Sequence, residues 1–248
     1  MGVVMKLRFS VLALTVFLSV IALFSITNIQ VSAKTTVRYY QNVKNARYFT
    51  TDYGNMYSTG KLSHKIGTMD AGDAVTVYYA VHVTRNGKKA IYYKYRYGKA
   101  SKTAWAWSGN FLKDLGKAGN ENRFRNVMLK YINKKRLAKN RPQIKLNAQL
   151  DQLADVRTLL MDNETAWENT TLEDSAKPLG VDVGGVEESM QGSTFGVDPI
   201  FLDYTDIDSF FTDGLELSTQ SLLLNAKTKE FGWGFGSQDS NWTDILTK

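Results

Sequence analysis

The stretch from Asn120 to Met161 constrains this chain more than any other, because it carries two helical periods in succession. Phe124, Val127, Met128, Tyr131 and Ile132 recur at the three- and four-residue spacings that place side chains on one stripe of a helix. Asn120 is the predicted N-cap of that helix, and Asn140 followed by Pro142 its predicted stop. A second helix is predicted after Asn147, its cap, with Leu150, Leu153, Ala154, Leu160 and Met161 on one face. Both faces read as core. Truncating Leu153 or Leu160 is therefore expected to cost about 2–5 kcal/mol.

The residues before this stretch carry a different period. Val75, Val77, Tyr79, Val81 and Val83 alternate strictly, and Asn86-Gly87 is a two-residue hairpin signal. The return strand is Ala90 to Tyr97, with shorter strands near Thr36–Tyr40, Thr103–Trp107 and Asn110–Leu112. Several short strands within residues 34–115 predict a small half-open barrel. The fold class expected is therefore α+β, a β-module over 34–115 followed by a second domain over 116–248. With 248 residues, 43% of them apolar, the chain is long enough for both.

Charge divides along the chain. Residues 34–145 hold 24 Lys and Arg against 5 Asp and Glu, whereas residues 146–248 hold 5 against 19. The net charges are +19 and −14, so the two halves have different electrostatic partners or attract each other.

Residues 1–33 read as a leader. Lys6 and Arg8 precede an uncharged, largely apolar run from Val11 to Ile26, and Val31-Ser32-Ala33 is a small-residue cleavage site. An uncleaved anchor is the alternative, and either predicts export, with membrane contact only during export if the leader is removed. The chain has no cysteine, so its stability outside the cytoplasm rests on packing alone.

Aromatic and basic residues interleave in the β-module. Arg38-Tyr39-Tyr40, the run Tyr92 to Tyr97, and Trp105 with Trp107 place rings beside cations. Alternate rings fill a barrel core or form an exposed platform. As a platform, Lys88, Lys89, Tyr93, Tyr95, Arg96, Trp105 and Trp107 suit an anionic cell-wall polymer or a glycan. Single-stranded nucleic acid fits the same chemistry, but export makes it the poorer choice and no nucleic-acid partner is expected. The run Asn86 to Tyr93 with Ala104 to Lys113 behind it resembles bacterial SH3-like wall-binding modules of Gram-positive surface proteins.

The helical stretch carries a second resemblance. Ile132-Asn133-x-x-Arg136, then Pro142, then Leu150-x-x-x-Ala154-x-x-Arg157 resembles the opening of a CAP domain. That superfamily unites cysteine-rich secretory, antigen-five and pathogenesis-related proteins. Gly185-Val186-Glu187-Glu188 stands where the family has a Gly-Glu-Asn turn, and Ser218-Thr219-Gln220-Ser221 where it has a Ser-Pro-Gly-His turn. Phe231-Gly-Trp-Gly-Phe-Gly236 resembles its Gly-rich strand. The resemblance covers about half the chain. It implies a CAP-type α/β/α sandwich and a cleft that in some members binds a divalent metal between two histidines and two glutamates.

Here the site motifs depart from the family. The only histidines, His64 and His82, lie in the β-module, and Ser221 stands where the second family histidine would be. Glu187 or Glu188 takes one glutamate position and Glu216 the other. Without imidazole, no metal site and no cofactor are expected, and the cleft reads as a non-catalytic surface for another surface protein, peptide or lipid. The rival reading is a hydrolase of peptide or wall material using Glu187, Glu188 and Glu216 as acid and base. Under the non-catalytic reading, Glu188→Ala and Ser221→Ala leave folding unchanged. Gly192-Ser193-Thr194-Phe195-Gly196 has its serine misplaced for a nucleophile elbow, and Ser63-His64 is a lone pair. Gly232, Gly234 and Gly236 alternate along a strand, which predicts close approach of a neighbouring element.

Overall fold

The computed structural model describes residues 35–161, 163–192, 207–236 and 242–248. The leader at 1–33 and the serine of Gly192–Gly196 lie outside the described residues. Among the described residues, no helix is long and apolar enough to cross a membrane.

The chain is α+β. Its first part is a curled antiparallel sheet of seven strands: β1 (Thr35–Thr50), β2 (Gly54–Tyr57), β3 (Lys65–Met69), β4 (Ala74–Arg85), β5 (Lys88–Tyr97), β6 (Lys102–Trp107) and β7 (Phe111–Lys113). The strand order is β3-β2-β6-β5-β4-β1-β7. The β4–β5 hairpin closes as expected, since Asn86 and Gly87 both take positive φ, 51° and 76°, and Arg85 pairs with Lys88. β2 and β3 carry no alternating apolar pattern, and β1 runs ten residues beyond the predicted strand end at Tyr40.

One bulge reorganises the sheet. Opposite β5, the register of β4 shifts between Val77 and Tyr79, which makes Tyr78 the extra residue. Val75 and Val77 therefore pack with Tyr95, Ala104, Ala106 and Phe111, whereas Val81 and Val83 pack with Tyr57, Leu62, Tyr92 and Trp105. The strict alternation of β4 thus serves two cores on opposite faces, not one.

The second part has three layers. Its sheet contains β8 (Lys145–Leu146), β9 (Glu187–Gly192), β10 (Glu230–Phe235) and β11 (Trp242–Thr247) in the order β8-β10-β11-β9, antiparallel except for β8 beside β10. On one face, α1 (Lys117–Ala138) and the later helix α5 (Leu217–Leu224) bury Phe124, Met128, Ile132 and Leu223 against Phe231, Trp233 and Ile245. On the other, α2 (Ala148–Met161) buries Leu150, Leu153 and Ala154 against Leu246. Two short helices, α3 (Glu164–Glu168) and α4 (Leu172–Ala176), follow α2. A helical turn at Ile207–Ser209 runs into a π-helical turn at Phe210–Gly214 ahead of α5.

Both helix boundaries between α1 and α2 follow from local chemistry. Asn140, at φ 54°, ends α1 in a left-handed turn, with Arg141 N–H donating to Arg136 and Asn140 N–H to Leu137. Asn147 caps α2, its side-chain oxygen accepting from the N–H groups of Gln149 (2.9 Å) and Leu150 (3.2 Å). The start of α1 differs from expectation. The helix begins at Lys117 behind Gly116, whose φ is 75°, and Asn120 sits one turn inside it. Asn120 still performs a cap's work on the incoming chain, accepting from Leu115 N–H (3.1 Å) and donating to Asp114 (2.9 Å). Arg123 reaches the same junction, donating to the carbonyl of Lys113 (2.7 Å).

Leu160 and Met161 are only half-buried at the end of α2. The turn expected to carry their core face instead buries Arg157 and Thr158. The glycines of β10 perform the predicted task. A Cβ on Gly232 would stand 2.2 Å from the Leu150 carbonyl carbon, and one on Gly234 2.1 Å from the Ala154 oxygen. Only hydrogen at these positions lets α2 lie on the sheet.

Candidate functional site

The bulge at Tyr78 also builds the basic aromatic surface. Pairing places Tyr92, Lys94 and Arg96 of β5 beside Trp107, Trp105 and Thr103 of β6, on the face that carries Tyr79, Val81 and Val83. Tyr78 rises from β4 on this face with the Arg96 guanidinium 4.3 Å and the Lys94 ammonium 5.7 Å from its ring centre. Trp107 is 51% exposed and rests against Gly109, where a Cβ would come within 2.4 Å of the indole. Tyr40 lies at the far side of the same face, 44% exposed and stacked on Tyr79.

The predicted platform residues separate into two groups. Arg96, Lys88 and Lys89 are exposed, the two lysines at the hairpin tip. Trp105 is not a platform. It is 5% exposed, closed over by the turn at Thr59–Leu62, whose Gly60 would collide with Tyr40 if it carried a Cβ. Tyr95 is 1% exposed on the other face, and burial raises the pKa of its phenol. Tyr93 is half-buried there against Tyr48 and Phe111. Of the two alternatives open for these rings, Tyr95 and Trp105 take the barrel-core one, and Tyr78, which the bulge places beside Lys94 and Arg96, was not among the candidates. His82 is half-exposed as its strand phase predicts, stacked on Tyr39 at 4.1 Å.

Cations dominate this module and have few carboxylates to meet. Of the 13 Lys and Arg in residues 35–113, only Arg47 meets a carboxylate at ion-pair distance among the described residues, Asp114 at 3.6 Å.

The carboxylates of the second part of the chain are organised differently. Arg157, 4% exposed on α2, donates to both oxygens of Glu188 on β9, at 2.6 and 3.2 Å. The same guanidinium donates to the carbonyl of Thr170 (2.7 Å) and lies 3.8 Å from the ring centre of Trp167. It thereby ties α2, α3, the start of α4 and β9 together. Asp244 of β11 lies on the same face, fully buried, with neither carboxyl oxygen hydrogen-bonded among the described residues. Burial, and then the neighbouring Glu188 carboxylate, hold the Asp244 carboxyl well above the usual carboxylate range, and Arg157 opposes them only in part.

The three glutamates considered as acid and base do not converge. Glu188 points to the α2 face. Glu187 and Ser189 alternate to the opposite face, where Ser189 meets Thr219 of α5 at 2.5 Å. Glu187 is exposed, and Glu216 is exposed at the N-cap of α5 with Ser218 donating to it at 3.3 Å. The segment Ser218–Ser221 is the first half of a helix and not the turn that the family pattern implies. Among the described residues, no three His, Asp or Glu side chains are grouped as metal ligands would be.

No family model and no curated protein matches the chain by sequence. Similar solved structures include an outer surface protein of Borrelia burgdorferi, 12% identical with a TM-score of 0.37, covering 50% of this chain and 91% of that one. They also include a cysteine-rich secretory protein of Staphylococcus aureus, 12% identical with a TM-score of 0.37, covering 85% of this chain and 83% of that one.

Proposed function

We propose that this is an exported, wall-associated binding protein whose β-module holds an anionic cell-wall polymer or glycan on the face of Tyr78, Lys94, Arg96 and Trp107. The observation that carries the reading is the stacking of Arg96 and Lys94 on Tyr78, in a module whose cations are almost all without carboxylate partners among the described residues. Cations held on rings keep their charge while losing little side-chain freedom on binding, and an exposed indole offers a sugar ring a flat apolar surface. A polyanion neutralises the resulting field; a neutral ligand does not.

The second domain is read as a CAP-like, non-catalytic contact module. Support comes from Glu188, which is consumed by Arg157, and from the separation of Glu188 from Glu187 and Glu216 across the sheet. A general base must reach its substrate's proton, and a carboxylate held bidentately by a buried guanidinium does not. The test is co-sedimentation of the purified protein with wall preparations before and after removal of their anionic polymer. Retained binding after removal contradicts the assignment.

A further inference from the structure

The C-terminal ends of α1 and α5 converge on an open pocket of about 490 Å³, with Lys139, Arg141, Leu217, Gln220, Ser221 and Leu224 among its walls. Its size falls within the roughly 300–1,000 Å³ usual for small-ligand sites. The electrostatics there are one-sided. Arg136, fully buried beneath, spends its guanidinium on the carbonyls of Pro142, Leu223, Asn225 and Thr228. Arg141 is oriented by donating to the carbonyl of Leu224. The helix-end carbonyls nearest the pocket are thus already occupied. Among the described residues, neither Lys139 nor Arg141 lies at ion-pair distance from a carboxylate. Burial, and then the neighbouring Arg141, push the Arg136 guanidinium below its ordinary value.

The pocket is not only cationic. Leu217, 78% exposed at the first turn of α5, stands on its wall, whereas Leu224, two turns on, is packed into the core. A bare inorganic anion would satisfy the cations and leave Leu217 in water. A ligand with an apolar group next to its negative charge satisfies both.

We propose that this pocket binds the free C-terminal carboxylate of a short peptide, the carboxylate between Lys139 and Arg141 and the last apolar side chain against Leu217. This site is separate from the polymer-binding face and does not rest on it. The test is calorimetry on the full chain with three probes: acetyl-Gly-Leu-Ala as free acid, the same peptide as C-terminal amide, and inorganic phosphate. The free acid is expected to bind saturably and the amide about tenfold or more weakly, because a charge-assisted pair is lost. Lys139→Gln, Arg141→Gln and Leu217→Ser are each expected to weaken the acid. Arg141 also bonds Leu224, so should Arg141→Gln unfold, Lys139→Gln at an exposed position decides. Equal affinity for acid and amide, no saturation by the acid, or phosphate binding more tightly than the peptide would each overturn the proposal.

Discussion

Arg157 holds both oxygens of Glu188, at 2.6 and 3.2 Å, and so turns one candidate acid into a structural partner. Glu188→Ala is consequently not neutral, as a degenerate cleft alone would imply. It leaves a guanidinium that is 4% exposed without its counter-ion, at a cost of about 3–5 kcal/mol. Chemical denaturation of the variant measures this, and Glu187→Ala, on an exposed site of the other face, should stay within about 0.5 kcal/mol of the wild type.

Asp244 sets a pH dependence of known sign. Its carboxyl is raised in the folded chain and ordinary in the unfolded one, so folding takes up a proton. The stability it permits is full below the unfolded value near pH 4 and declines as pH rises toward the folded value. Asp244→Asn removes that decline. The variant's advantage over the wild type should grow between about pH 4.5 and 7.5 in paired denaturation curves, and a constant difference across that range would count against a raised carboxyl.

Gly234→Ala should be among the most damaging single-carbon changes. The added carbon meets the backbone of Ala154 and Asp155, which cannot rotate away, so α2 must lift from the sheet. A loss of about 3 kcal/mol or an insoluble product is expected. Gly98→Ala, with nothing within 4 Å of the added carbon, is strained only by its positive φ and should cost about 1 kcal/mol.

How much of this was legible in the sequence depends on whether the determinant was local. Asn140 and Asn147 announce helix ends because their effect is exerted on the backbone beside them. The glycines of β10 were readable for the same reason, since alternate missing side chains imply something close. The bulge at Tyr78 was not readable, because register is a property of β4 and β5 together and the alternation through Val83 looks unbroken from one strand. Tyr95 is buried because of the face it joins, whereas Trp105 shares a face with the exposed Trp107 and is buried by the turn at Thr59–Leu62, a contact that no strand pattern carries. Arg157 was visible as a motif position, but its partner lies 31 residues on, and spacing carries no trace of it. The same holds for Asp151 and Asp155, whose side chains accept the N–H groups of Trp233 and Phe235 and so close the open edge of β10.

Trp105 and Trp107 should separate folding from binding. Trp105→Ala removes a buried ring and is expected to destabilise the β-module by about 3–5 kcal/mol. Trp107→Ala removes a half-exposed one and should leave most of the stability while weakening retention on wall material. Circular dichroism melts and sedimentation on the same two samples check both halves of this expectation.

The most direct measurement is a salt titration of binding to purified anionic wall polymer, comparing the wild type with a Lys94→Gln/Arg96→Gln double variant. Exposed charges are screened beyond about 8 Å at physiological ionic strength, so wild-type affinity should fall by about tenfold or more between low and moderate salt. The double variant should bind more weakly at low salt and show a shallower salt dependence while melting like the wild type. Salt-independent binding, or a double variant indistinguishable from the wild type, would contradict the assignment of this face to an anionic polymer.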